Sequence, residues 1–152
     1  MFMRALARAV SLLAFFPLLA FFPLLAFFPG AAGAADTLYA DLGGQSGVSR
    51  IASNALDLYF TDPRLSQDFG NINRDFLQPR FTSYICIVAG GPCVYKGHSM
   101  KASHKGLAIT QEKFNAVVED LQLAMDRASV PFRVQNRLLA RLAPMEHDIV
   151  TR

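Results

Sequence analysis

The sequence predicts an all-α domain behind an export signal. Three observations carry that reading. After position 36, apolar residues recur at three- and four-residue spacing. No stretch alternates with period two for long enough to build a sheet, and glycine or proline punctuates each apolar run.

The first segment is set apart from the fold. Arg4 and Arg8 form a basic n-region, Leu12 to Phe28 is almost wholly apolar, and Ala31-Ala32-Gly33-Ala34-Ala35 offers small residues for cleavage. The hexapeptide LLAFFP occurs three times in tandem, ending at Pro17, Pro23 and Pro29, which lengthens the apolar run without adding a chemical group. Residues 1–35 are therefore expected to be a signal peptide removed on export, with the bacterial periplasm as destination. An uncleaved anchor is the alternative, since about 17 apolar residues approach the lower limit for a span. Three prolines and the small-residue exit favour cleavage, and no stable membrane insertion is expected afterwards.

Cleavage after Ala35 leaves residues 36–152, 117 in all, enough for one domain. That domain carries thirteen Lys and Arg against twelve Asp and Glu, interspersed along the chain. No basic stripe exists that could neutralise several phosphates, which excludes nucleic acid as a partner.

Within the domain, Gly43-Gly44 and Gly47 bracket Ser46, so Ser46 is the expected N-cap of a first long helix. Val48, Ile51, Ala52, Ala55, Leu56 and Tyr59 form its inner face until Asp62-Pro63 ends it. A short turn is expected from Pro63 to about Phe69. Asn71 to Asp75 is turn-rich, and a helix carrying Phe81, Tyr84, Ile85 and Val88 runs to Gly90-Gly91. Pro79 is expected in its first turn, where a missing N–H costs little. His98 to Gly106 predicts about two helical turns with Met100, His104 and Leu107 on one face. Thr110 then caps a long helix with Phe114, Val117, Val118, Leu121 and Met125 inward, broken by Val130-Pro131. The last helix uses Val134, Leu138, Leu139 and Leu142, with Pro144 ending or kinking it.

Cys86 and Cys93 lie seven positions apart across Gly90-Gly91-Pro92. In an exported chain an even cysteine count at short spacing favours a disulfide, two reduced buried residues being the alternative. A bridge would tie the end of one helix to the loop after it, worth about 2 to 3 kcal/mol for so short a loop on the chain-entropy model. The segment from Gly90 to Thr110 also places one histidine, His104, behind a glycine-rich loop. A lone imidazole so held suits one axial bond to iron, although a histidine beside apolar residues is more often packed or at the surface.

The order of features shifts that balance. LYADLGG near the start of the domain, DPRL followed by Phe69, GGPCVYKG, the M-x-x-x-H from Met100 to His104, GLAIT, and the VP before the last helix occur at spacings that resemble the group I truncated haemoglobins. The resemblance spans Asp36 to Arg152. It implies a truncated globin, a two-over-two helical sandwich around haem b and its iron. His104 matches the proximal histidine, with a partner on its other ring nitrogen fixing the tautomer. Phe69 matches the phenylalanine on the porphyrin face and Met100 a methionine on the proximal side. Arg80 stands where relatives place a cation near a haem propionate, an ordinary solvated charge being the alternative.

The distal side departs from the family pattern. Leu56 and Phe81 occupy positions where many members carry a tyrosine and a glutamine that donate hydrogen bonds to bound oxygen, and Leu77 stands opposite the iron. Such an apolar pocket is expected to release oxygen quickly and to discriminate less against carbon monoxide. Tyr84, one helical turn beyond Phe81, is the best remaining donor. Pro79 puts the register of Leu77 and Arg80 in question. His98 and His147 are expected at the surface, and neither matches a second iron ligand. Val117, Leu142 and Ile85 match positions that line a gas tunnel in some relatives, but any helical core would bury them.

The expected function is reversible binding of oxygen, carbon monoxide or nitric oxide at a single five-coordinate iron, by a monomer served by a reductase. The alternative is a haem enzyme, a nitric oxide dioxygenase or a peroxidase-like detoxifier. The distal side offers little of the donor or acid–base chemistry those reactions need. A helical module without haem is the third class.

Overall fold

A left-handed glycine starts the first long helix. The computed structural model describes residues 37–151, so the segment expected to be a signal peptide lies outside the described residues. After a single turn of helix α1 (Leu38–Asp41), Gly43 takes φ +89°, and α2 begins at Gly44 and runs to Tyr59. Ser46 is therefore inside the first turn and not its cap; its hydroxyl donates to the Gly43 carbonyl at 3.3 Å. The reason is conformational, because glycine alone adopts that φ without a Cβ penalty, which lets the helix start three residues earlier.

The expected turn before Phe69 closes as a four-residue helix, α3 (Ser66–Phe69). Helix α4 (Arg74–Val88) is initiated by Asn73, whose side chain accepts from Phe76 N–H at 3.2 Å. That cap places Pro79 at the sixth residue, in the second turn and not the first. Pro79 leaves the Asp75 carbonyl without its helical donor, on an exposed stretch where water can take it up. Helix α5 is shorter than the sequence implies, covering only Met100–His104, with Ser99 accepting from Ala102 N–H at 3.2 Å and Gly106 turning the chain at φ +80°. Leu107 falls beyond it and is 52 % exposed, so it does not share the inward face of Met100 and His104.

Thr110 caps α6 (Gln111–Arg127) as the sequence predicts, its hydroxyl accepting from Lys113 N–H at 3.3 Å. Helix α7 (Phe132–Leu142) follows Pro131, a short 3-10 turn through Pro144 bends the chain, and α8 (Glu146–Ile149) closes the order. No strand occurs among the described residues.

Helix α2 packs on both α4 and α6, and α7 packs on α1, α4 and α6, so the pairs α2/α4 and α6/α7 form two layers. The core between them joins Val48, Ile51 and Leu56 to Ile85, Met125 and Leu138. Ala52, Ala55, Ala116 and Ala124, all fully buried, let the backbones approach closely. One consequence is the bond from Asn54 Nδ2 to the Ala124 carbonyl at 3.2 Å across the α2–α6 contact. Outside the core, Arg137–Asp41, Arg74–Asp57 and Lys113–Asp68 pair at 2.6 Å on partly exposed ground, where each contributes about 1 kcal/mol at most.

Asp120 on α6 is the exception to this economy. It is 3 % exposed, and its Oδ2 has no hydrogen-bond partner among the described residues. Burial, then the nearby Asp62, holds its carboxyl above the ordinary aspartate value, Glu119 adding to the rise while Arg64 and Arg127 oppose it. A raised folded-state pKa favours the protonated fold. Its stabilising contribution is complete below about pH 4, the unfolded value, and is lost as pH rises through the folded value. Asp120→Asn, which keeps the shape without the charge, is expected to raise stability by about 1 kcal/mol at pH 7. Melting curves at pH 7 and pH 4 check this, the gain shrinking at the lower pH.

Candidate cofactor site

The imidazole of His104 is fixed by its own helix. Its Nδ1 lies 2.8 Å from the Met100 carbonyl oxygen, and since a carbonyl only accepts, Nδ1 carries the proton and donates it. The lone pair is then on Nε2, the free side of a half-buried ring. Five residues suffice for this geometry because Met100 and His104 are one turn apart.

Helix α5 rests on α8, and a loop joins it to α4. Phe69, Leu77, Phe81 and Met100 are all half-buried. Tyr59 gathers two of them. Its ring lies 5.1 Å from Phe69 and 6.0 Å from Phe81, and Phe60 adds a second contact to Phe69 at 5.9 Å. The Tyr59 hydroxyl donates to the Val117 carbonyl at 3.3 Å, and burial, then Asp120, pushes its phenol above the ordinary value, so it stays neutral. The sequence marked Tyr59 only as an inward helix residue. Its part in holding Phe69 and Phe81 depends on the α3–α4 arrangement, which periodicity does not carry.

Leu56 is 1 % exposed, wholly within the core. Tyr84 sits edge-on to Tyr95 in the loop after α4, their centroids 5.2 Å apart. Burial, then Tyr95 and Asp148, holds its phenol above the ordinary value, and its hydroxyl has no hydrogen-bond partner among the described residues. It is a neutral donor whose hydroxyl is left to solvent or a ligand. Arg80 is exposed, with its guanidinium 3.3 Å from the centre of the Phe76 ring and Nη1 donating to the Phe76 carbonyl at 3.0 Å. With Ser83, Tyr95 and Lys96 it lines a cleft of about 220 Å³ between α4 and the loop. His98 is exposed, and the His147 side chain is 87 % exposed beside Asp148, as the sequence implied for both.

The donor set limits what can bind. Among the described residues no group of three or more His, Cys, Asp or Glu side chains could hold a bare metal ion. One oriented imidazole is instead the donor taken by a metal whose other ligands come from a flat macrocycle.

Comparison with known proteins agrees with this geometry. A profile of the bacterial-like globin family matches residues 37–151. A group 1 truncated haemoglobin of Mycolicibacterium paratuberculosis is 30 % identical over 115 residues, covering 76 % of this chain and 85 % of that protein. Another from Tetrahymena pyriformis is 28 % identical, covering 66 % and 83 %. Among solved structures, a variant truncated haemoglobin of Tetrahymena pyriformis in its Fe(III) form superposes with a TM-score of 0.74 at 25 % identity, covering 76 % of this chain and 99 % of that one. The two-over-two haemoglobin of a Synechococcus species, with covalently attached haem, gives 0.70 at 21 % identity, covering 76 % and 98 %, a likeness of fold. With its two helical layers, its single oriented histidine and this match along the whole domain, the chain belongs to the bacterial-like globin family, as a group I truncated globin.

Proposed function

We propose that this protein binds haem b through His104 and reversibly takes up oxygen, carbon monoxide or nitric oxide at one five-coordinate iron. The Nδ1 to Met100 carbonyl bond carries this reading, because it occupies Nδ1 and leaves the lone pair of the neutral ring on Nε2, turned away from its own helix. Haem bound there would supply an iron able to take up a diatomic gas. The side chains do the rest. Phe69 and Phe81, set on Tyr59, offer flat apolar surface to the macrocycle, Met100 lines the proximal side, and Leu77 keeps water from the distal side. Arg80 offers a cation at the solvent edge for a propionate. Export of residues 36–152 to the periplasm after loss of the signal peptide, a monomeric state and re-reduction by a reductase belong to the same reading.

Absorption spectra of the purified mature protein, ferric and ferrous, with and without carbon monoxide, test it. A sharp Soret band that shifts fully with carbon monoxide is expected. Protein from haem-replete cells without Soret absorption overturns it.

Tyr84 is the distal donor in this reading, being neutral and with its hydroxyl left to solvent or a ligand. Tyr84→Phe is expected to speed oxygen release about fivefold, the worth of one hydrogen bond, as measured by stopped-flow displacement with carbon monoxide. An unchanged rate removes Tyr84 from that role.

A further inference from the structure

The loop between α4 and α5 is held at very few points. Gly90 N–H donates to Ile87 and Gly91 N–H to the Cys86 carbonyl. After Gly91, no backbone N–H donates to another backbone group until Ser103 reaches Ser99, among the described residues. Tyr95 folds over Gly97 to donate to the His98 carbonyl at 3.0 Å, a bond internal to the loop. Side-chain links between the loop and the body of the fold include the edge-on contact of Tyr95 with Tyr84, the approach of Cys93 Sγ to Gln45 Oε1 at 3.5 Å, and a disulfide between Cys86 and Cys93, Cα atoms 5.9 Å apart. Only the last is covalent.

The two ends of that bond differ. Cys86 is fully buried in the last turn of α4, within the core. Cys93 is half-buried in the loop, six residues before Ser99 caps α5. A side chain at Gly91 would come within 2.5 Å of the Tyr39 ring and 2.6 Å of the Cys86 sulfur, so the core side of the bridge is packed without room to spare. Helix α5 has five residues and cannot hold itself in place. Its site on the fold is set from the C-terminal side by α8 and from the N-terminal side by this loop.

We infer that the Cys86–Cys93 disulfide is a positioning element for His104: it anchors the proximal segment to the distal helix, and its reduction frees that segment and weakens the hold on haem. The inference rests on the haem reading above. In the reducing step a thiolate attacks the more accessible Cys93 sulfur and displaces the Cys86 thiolate, which takes a proton. A second thiol equivalent resolves the mixed disulfide, so one disulfide is reduced as two donor thiols are oxidised to another. A small dithiol suffices as reductant. Exposure of Cys93 and burial of Cys86 make the order of attack one-sided.

The test compares holoprotein with the bond intact, holoprotein treated with dithiothreitol, and Cys86→Ala/Cys93→Ala. Haem transfer to excess apomyoglobin is followed at the Soret band. Hydrogen exchange of residues 92–105 and of α6 is followed in the haem-free protein. Breaking the bond is expected to speed haem transfer about tenfold and to raise exchange in 92–105 while leaving α6 protected. A structural role without positioning would instead raise exchange in α6 together with the loop, and that result overturns the inference. So does an unchanged transfer rate with the bond demonstrably reduced. Reduction of the unmutated chain keeps the test independent of whether the double variant folds. If the oxidised protein binds no haem, the haem reading fails, while the exchange contrast still decides whether the bond holds the loop.

Discussion

His104→Gly is expected to lower haem affinity by at least about 100-fold, because it removes the proposed iron ligand itself, whereas loss of an outer partner of a metal ligand typically costs 10- to 100-fold. Added imidazole should restore the Soret band by filling the space the side chain leaves. That rescue separates loss of the iron ligand from loss of fold. The substitution touches a half-buried residue at the end of a five-residue helix, so melting of the haem-free protein should move little. A variant that retains the wild-type ferrous spectrum without imidazole would assign the iron to another group, and His98 and His147, both exposed, are the only other histidines in the chain.

Tyr59→Ala is expected to cost about 3 to 5 kcal/mol, the range for removing a large buried aromatic. For a domain of this size that lowers the melting temperature by about 10 to 20 °C. Two effects add. The ring is 2 % exposed, so its loss leaves a cavity between α2 and α6. It also supports Phe69 and Phe81 from beneath, so haem should be held less firmly even at temperatures where the variant is folded. Tyr59→Phe keeps the ring and gives up only the bond to Val117, for about 1 kcal/mol. Thermal melts of the pair, read with Soret intensity, separate the packing role from the hydroxyl. Equal losses in both would place the effect in the hydrogen bond and not the stack.

The residues announced most of this fold and some of its site. Helical periodicity placed α2, α4, α6 and α7, and the Thr110 cap was legible because a hydroxyl before Gln111-Glu112-Lys113 has one obvious use. Boundaries slipped where backbone chemistry competed. At Ser46 a glycine in a left-handed conformation started the helix first, and at Pro79 the Asn73 cap outweighed the preference of proline for a first turn. Spacing favoured a Cys86–Cys93 bridge but left two reduced residues open, and the structure forms the bridge. His104 was found through the order of motifs and not through its own surroundings in the sequence. What sequence could not reach were contacts that need two elements in register. The Tyr84–Tyr95 pair joins a helix to a loop of no repeating pattern, and the buried Asp120 looks like any charged position on α6 until α2 is laid against it.

The contact of α8 with α5 has a bearing on how the protein is made. The proximal helix rests on a turn that follows it by some forty residues, and Thr151 N–H reaches back to the Ile109 carbonyl at 3.0 Å to fasten the strand of chain just beyond His104. On the ribosome, His104 therefore emerges well before the segment that will seal it. The layers formed by α2, α4 and α6 can assemble while α5 is still unsupported, and the binding half that carries the histidine closes only once translation has passed Thr151. A copy stopped before residue 146 would lack the segment on which α5 rests.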